Sequence, residues 1–591
     1  FLNEGINQLS ERYLVRRQQE LGKRIPHDRY AHELQRVRMY FADNNVYGVD
    51  LNPVALELAE VSLWLNAIFT EQTAQGSQVF VPWFGGQLCT GNSLVGAWRK
   101  VFKRSDVHAG SKGKNSGWLD AVPDRIPLGT ARPKDSVYHF LLPDRGMAVY
   151  GQGNEGKPIK EMCGDELDAI DAWRKDICGP LSEGDRKALV KLSDAVDRLW
   201  SKHVELLGKV RERTTDPLSV YGHEHKLKGR PPTSTRDKDA IWSREMASEQ
   251  VRASSPYRRL KLAMDYWCAL WFWPIQQADM LPDRDEWLTD LALLLDSDVL
   301  PGLDGGQSQR DLFAPTMPAD EARTLVDEVG FADVERLIER WPRLKMADEL
   351  AARYRFHHWE LEFADLFAER GGFDLILGNP PWVRVEWKES GVLGDKDPSL
   401  ALAKLSPAHA ADRRAAALER PGMRASFLSA HEEPMGTQAF LSAASNFPDL
   451  QGVKVNLFKA FLPTAWALGA RAGVAGLLHP ESLYDDPRGG RARAAAYRRL
   501  RRHFQFVNEK ALFAEVHHAT QFSINTYGPA RMGVSILHVA NLFLPSTVDD
   551  CHAHAGAGPV PGIKDNDNDW DIRGHKARII RVTETELDLF A

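Results

Sequence analysis

Phe373-Asp374-Leu375-Ile376-Leu377-Gly378-Asn379-Pro380-Pro381-Trp382 is the stretch whose reading decides the fold. A run of large apolar residues with β-branched Ile376 at its centre predicts a strand buried on both faces. Gly378 then releases the chain into a tight turn. Asn-Pro is a common turn dipeptide, so the bland reading of the last four residues is a surface turn after a strand. Their setting argues for more, because a buried strand ends there and other strand-plus-turn units flank it.

Asn-Pro-Pro followed by an aromatic residue resembles the catalytic motif of the S-adenosylmethionine-dependent amino-methyltransferases. Its Asn form is typical of those that methylate N6 of adenine in DNA. The chemistry accounts for the residue types. An exocyclic purine amine is a poor nucleophile, because its lone pair is delocalised into the ring. The Asn379 side-chain oxygen and the Pro380 carbonyl can hold its two hydrogens, draw the nitrogen toward sp3 geometry and stabilise the positive charge that develops. Pro380 and Pro381 fix φ and bring no competing N–H. Trp382 offers the base a flat apolar face, and stacking worth roughly 1–3 kcal/mol helps offset the unstacking of a flipped nucleotide.

Working back from that motif, residues 45–50 read as a short buried strand, and the helix after it begins at Pro53. A carboxylate at the carboxyl end of the second strand of a doubly wound sheet can accept both ribose hydroxyls of a nucleoside, and Asp50 is placed for that. The competing role is a helix N-cap. Tyr47 to Pro53, with Ala55-Leu56-Glu57-Leu58-Ala59 after it, resembles the second cofactor motif of the large bacterial adenine methyltransferases, namely the single-chain (type IIG) restriction-modification enzymes and the methylases of BREX and DISARM phage-defence systems. Leu88-Cys89-Thr90-Gly91-Asn92-Ser93-Leu94 is similar to their third motif, where many relatives carry Asp. The Asn92 oxygen would take the adenine amine of the cofactor, unless Asn92-Ser93 only forms a turn. The resemblance places the Gly-rich cofactor loop immediately before Phe1, with Phe1 as its closing aromatic. The implied cofactor is S-adenosylmethionine, held by Phe1, Asp50, Leu51, Asn52, Asn92 and Ser93. Phe356-His357-His358-Trp359-Glu360-Leu361-Glu362-Phe363 also matches this group. The adjacent His357 and His358 point apart on a helix or a strand, which argues against a metal site.

The expected fold is therefore α/β, a Rossmann-like doubly wound methyltransferase sheet with a large helical insertion. The 591-residue length exceeds one core, and the segments read as 1–98 (cofactor side), 99–349 (insertion), 350–545 (catalytic side) and 546–591 (extension). A net charge of −6 excludes an overall basic nucleic-acid binder, so DNA contact must be local. The 5 cysteines fit neither a disulfide framework nor a metal site, and a reducing, cytoplasmic setting is expected. Trp267 to Ile275 is too short to span a bilayer and reads as helical core, so no membrane partner is expected.

Within the insertion, residues 137–142 read as a strand and 161–213 as a helical pair. Residues 226–239 read as a basic, proline-broken loop that is either a solvated linker or DNA-facing. Beyond Trp382, the polar segment to Pro448 suits a lid over the target base. Residues 473–480 read as the next strand, followed by a basic helix. Its Arg491, Arg493, Arg498, Arg499, Arg501 and Arg502, with Arg488 before it, are either a solvated face or, in an otherwise acidic protein, phosphate contacts. Residues 504–507, 522–527 and 534–539 read as the last strands, the final pair forming a hairpin. Tyr527 and Phe522 either flank the flipped adenine or pack the sheet. Cys551, His552 and His554 read as a loop.

Taken together these features imply an adenine-N6 DNA methyltransferase acting on double-stranded DNA, with further subunits of a defence system as possible partners. Two alternatives remain. Glu386-Trp387-Lys388 has the Glu-any-Lys spacing of a metal-dependent nuclease, which would make the chain a fused nuclease-methylase. A DNA-binding scaffold with weakened cofactor affinity is the other.

Overall fold

The computed structural model describes residues 1–73, 76–108, 117–153, 156–224, 232–247, 255–296, 333–396 and 414–589. The chain divides into two compact units, one of Phe1–Arg145 with Asp165–Ala368 and one of Gly146–Gly164 with Glu369–Ala591. The grouping differs from the four segments read from sequence. Most of 99–349 and all of 350–368 share a unit with 1–98, while 546–591 shares a unit with 369–545.

In the first unit, α1 (Leu2–Leu21) and α2 (His27–Asn45) are separated at Pro26, as the sequence predicts. Strand β1 (Gly48–Asp50) leads into α3 (Pro53–Ala67), which Asn52 caps by accepting the Val54 N–H at 3.0 Å. A hairpin of β2 (Phe69–Thr73) and β3 (Gly76–Phe80) follows, then β4 (Leu88–Thr90), which pairs in parallel with β1, Asp50 opposite Thr90. Ile6, Ala42, Val46, Leu63, Ala67 and Phe84 form the core around this pair. The Gln87 amide fixes the approach to β4 by donating to the Val46 carbonyl at 2.7 Å.

The insertion opens with a small antiparallel sheet in which β5 (Lys100–Phe102) lies between β6 (Asp124–Arg125) and β7 (Val137–Tyr138). The strand expected over 137–142 stops after two residues, because the chain tightens into a 3-10 turn at His139–Leu141. The helical pair is present as Gly164–Ile177 and Glu183–Thr214, the latter started by a capping box at Ser182. Trp267, Trp271 and Trp273 are buried as the apolar segment predicts. Trp267 satisfies its indole N–H on the Leu142 carbonyl at 2.9 Å, and Trp287 does the same on Leu141 at 2.9 Å. Of the basic loop, residues 226–231 lie outside the described residues. Its end is helical over Thr235–Trp242, where Lys238 is buried 3.3 Å from Asp43 and 3.0 Å from Asp216 rather than facing DNA. No described helix is long and apolar enough to cross a membrane.

The second unit is built on a six-stranded mixed sheet in the order β13-β12-β10-β11-β9-β8. Its strands are β8 (Phe373–Gly378), β9 (Gly469–Pro480), β10 (Leu500–Val507), β11 (Gln521–Tyr527), β12 (Ser535–Leu542) and β13 (Ile580–Thr583). β8 and β9 run parallel, with Gly378 opposite Leu477. Three expectations are corrected. β8 is not buried on both faces: it is an edge strand with one ladder partner among the described residues, and Leu375 and Leu377 are 41% and 42% exposed. β12 makes no hairpin with β11, because it pairs in parallel with β10. The fold is mixed α/β, but its parallel pairs are β1–β4 in one sheet and β8–β9 and β10–β12 in another, and a single doubly wound sheet is not seen among the described residues.

Candidate active site

The turn after β1 carries the expected ribose carboxylate. Asp50 is exposed at the strand's carboxyl end, and one of its oxygens accepts the Asn52 N–H at 2.7 Å, so it shapes the turn while Asn52 takes the N-cap role. Leu51 is 54% exposed, and Phe1, which precedes α1, is 72% exposed.

After β4 the chain is stitched to residues 355–360. Asn92 N–H donates to the Arg355 carbonyl at 2.7 Å, and the Trp359 indole to the Ser93 carbonyl at 3.0 Å. His357 N–H reaches the Val95 carbonyl at 3.0 Å, and the Ala97 N–H reaches His358 Nδ1 at 3.0 Å. The Arg99 N–H ends the series on Glu360 Oε2 at 2.6 Å. The two segments lie so close that a Cβ on Gly96 would run into the His357 carbonyl. Because His358 Nδ1 accepts, its proton sits on Nε2 and is donated to Asp265 at 2.9 Å. Asp265 is in turn held by Lys261 at 2.9 Å. Burial holds His358 below the usual imidazole range and pushes His357 down to about 3. Both are therefore neutral structural groups, and among the described residues no cluster of three or more His, Cys, Asp or Glu gathers as a metal site.

The same turn changes what Asn92 can do. Its Oδ1 accepts the Leu94 N–H at 3.1 Å and the Val95 N–H at 3.3 Å, which occupies both lone pairs. The expected acceptor for an adenine amine is thus committed to its own loop. The 355–360 segment is legible in the sequence only as a family match, and Arg355 not at all.

At the turn after β8, Asn379 and Pro381 are exposed, Pro380 is buried and Trp382 is half-buried. Asn379 Oδ1 accepts the Trp382 indole N–H at 3.1 Å. The Pro380 carbonyl takes no hydrogen bond among the described residues. The Trp382 ring packs 5.4 Å from Phe513, edge to face, and 5.6 Å from Phe522. Sequence reasoning misses Phe513. It sits in a loop wound around buried Asn508, whose amide holds the Phe513 carbonyl at 2.9 Å and the Val516 carbonyl at 2.8 Å. Beyond Trp382, Leu457 N–H binds the Val383 carbonyl at 3.0 Å and the Gln438 amide binds Val385 at 2.7 Å. The segment expected as a polar lid contains the helix Met423–Ser442; its residues 397–413 lie outside the described residues. In the Glu386-Trp387-Lys388 triplet the middle residue is a buried anchor, packed on Phe427 at 5.3 Å and His431 at 4.7 Å.

The DNA-facing set is redistributed. The basic helix spans only Gly490–Tyr497, and Arg501 and Arg502 belong to β10. Arg488, Arg491, Arg498 and Arg502 are exposed. Arg499 instead bonds the Ala495 carbonyl at 3.0 Å and lies 4.9 Å over the Trp466 ring, and Arg501 donates to the Arg499 carbonyl at 2.8 Å and to Pro529. Those two hold the turn into β10. Tyr527, expected beside the base, is buried at 1% exposure. Its hydroxyl meets His479 Nε2 at 2.8 Å and the Tyr484 hydroxyl at 2.8 Å, and the Asn525 amide donates to the same His479 nitrogen at 2.9 Å. It braces the sheet.

With this geometry in view, comparison with known families gives one result. A sequence profile described as the Eco57I restriction-modification methylase matches residues 44–401, more than half of the chain and inclusive of both functional turns. No curated protein matches the chain.

Proposed function

The chain belongs to the Eco57I restriction-modification methylase family, and from that premise we propose that it transfers the methyl group of S-adenosylmethionine to N6 of an adenine flipped out of double-stranded DNA. The observation that carries this reading is the Asn379–Pro380 tip, where an amide oxygen and an unengaged peptide carbonyl stand at the carboxyl end of a parallel strand beside an aromatic ring.

The residues of the β1–β4 pair suit the cofactor's nucleoside. Asp50 has an exposed carboxylate for two hydroxyls, and Asn92 offers N–H donors, which fit a ring nitrogen of adenine better than its amine. The β1–β4 and β8–β9 pairs each put their turn at the carboxyl ends of parallel strands, as a doubly wound sheet does. S-Adenosylmethionine, when bound, supplies an electrophilic methyl on a sulfonium whose departure needs no metal. Asn379 Oδ1 has a lone pair beyond the one given to Trp382, and with the Pro380 carbonyl it takes the two amine hydrogens. Those acceptors localise the nitrogen lone pair and stabilise the cation formed at N6. The proton is acidic once the nitrogen is alkylated, so it passes to solvent without a dedicated base. Trp382 supplies the stacking face, and Arg488, Arg491, Arg498 and Arg502 are the exposed cations for phosphates.

Asn379→Ala should lower methyl incorporation into DNA by roughly 10²–10³-fold while leaving DNA affinity unchanged. Mass spectrometry of digested DNA for N6-methyladenine reads the first and fluorescence anisotropy the second. Turnover like that of the unaltered protein, or methyl groups found on cytosine, would overturn the reading.

A further inference from the structure

Arg355 takes no part in the methyl transfer itself, yet its position is unusual in two respects. It follows the helix Pro342–Tyr354 in the left-handed region, at φ 54° and ψ 51°, a position that glycine usually fills. Arginine is disfavoured there, so the site retains a side chain where none would be easier. That side chain also reaches across the chain. Its Nη1 donates to the Leu51 carbonyl in the turn after β1, while its own carbonyl accepts Asn92 N–H at 2.7 Å in the turn after β4. One residue thus ties together the carboxyl ends of both parallel strands, between the carboxylate of Asp50 and the amide of Asn92.

We propose that Arg355 is a cofactor-binding residue, its guanidinium forming a wall of the nucleoside subsite between Asp50 and Asn92. The proposal rests on the methyl-transfer reading, because the nucleoside is that of S-adenosylmethionine. The chemistry suits the position. A guanidinium with one of its five N–H donors committed keeps the rest for ribose or ring-nitrogen acceptors, and its planar face stacks on a purine. Tethering to Leu51 fixes that plane before the ligand arrives, so little rotamer freedom is lost on binding. Arg355 is half-buried, which keeps the ion near the ligand and away from bulk screening.

The test separates side chain from backbone. Arg355→Gly keeps a residue content with positive φ, and with it the Arg355 carbonyl to Asn92 bond, while removing the guanidinium alone. Calorimetry on the full chain should show S-adenosylmethionine and S-adenosylhomocysteine bound roughly tenfold more weakly by this variant, the loss expected for one charge-assisted contact. The two losses should be equal because both ligands share the nucleoside. The thermal midpoint should not change, and Arg355→Lys should recover part of the affinity. Binding by the Gly variant equal to that of the unaltered protein would overturn the proposal. So would a loss that tracks a lowered thermal midpoint and is not recovered by Lys, since that marks a purely structural clamp. If the unaltered protein takes up neither ligand, the methyl-transfer reading itself fails and Arg355 has no nucleoside to hold.

Discussion

The two functional turns are held in opposite ways. The turn after β4 is stitched by five hydrogen bonds to residues 355–360 and backed by the buried His358–Asp265–Lys261 chain. The turn after β8 leaves an edge strand, and the Asn379 side chain is held by a single indole N–H. Under the proposed function the first serves as a preorganised receptor for a ligand of one shape. Under the proposed methyl transfer the second makes room for a base, and its contacts are few and of a kind that a ligand can replace. The difference is one of local stability, with one turn rigid and the other yielding.

Removing Asp265 tests the rigid turn most severely. Asp265→Ala leaves buried His358 and half-buried Lys261 without their partner and should cost about 3 kcal/mol, read from the denaturant midpoint; a loss below about 1 kcal/mol would mean the stitching does not depend on this anchor. Acidification comes next. Burial pushes His479 from 6.5 down to about 4, so the folded protein prefers it neutral. Its contribution is intact above pH 6.5 and is lost as the pH falls toward 4. In that window each pH unit should cost about 1.4 kcal/mol, and His479→Gln should flatten this part of the profile. Unchanged slopes would remove His479 from the account.

The yielding turn should respond differently. Trp382→Phe keeps the ring and deletes the N–H that orients Asn379, so kcat should fall about tenfold with KM and the unfolding midpoint little changed. A rise in KM alone would show that stacking, not orientation, is the role of Trp382. The smallest effect is expected at the surface. Changing Arg491, Arg498 and Arg502 together to Glu should reduce the slope of log K against log salt by about one for each phosphate the protein no longer neutralises, whereas Arg499→Ala should lower stability and leave that slope alone.

Local sequence carries the elements whose signals are local. The Pro26 break, the Asp50 turn, the β8 strand and Asn-Pro-Pro-Trp are all written within about ten residues of themselves. It fails where a partner lies far along the chain. His358 and Ala97 are 261 positions apart, and nothing in the periodicity of either segment names the other. β8 reads as buried because its side chains are apolar, but exposure of its faces depends on what packs against it. The arginines after Gly490 read as a helical face because they are dense. The backbone turns into β10 at Leu500, and two of them become props for that bend. Asn92 reads as a free acceptor for a similar reason, since the Leu94 and Val95 N–H groups meet its oxygen only once the loop is closed.

Where the insertion is attached has a consequence for how this protein can vary. Residues 92–99 and 355–360 lie side by side, so the long excursion between them departs from and returns to one fastened seam. Closing an excursion twice as long costs only about 0.6 kcal/mol more. The length of the excursion can therefore change at little cost, provided that Lys261 and Asp265, which it supplies to His358, keep their place beside the seam.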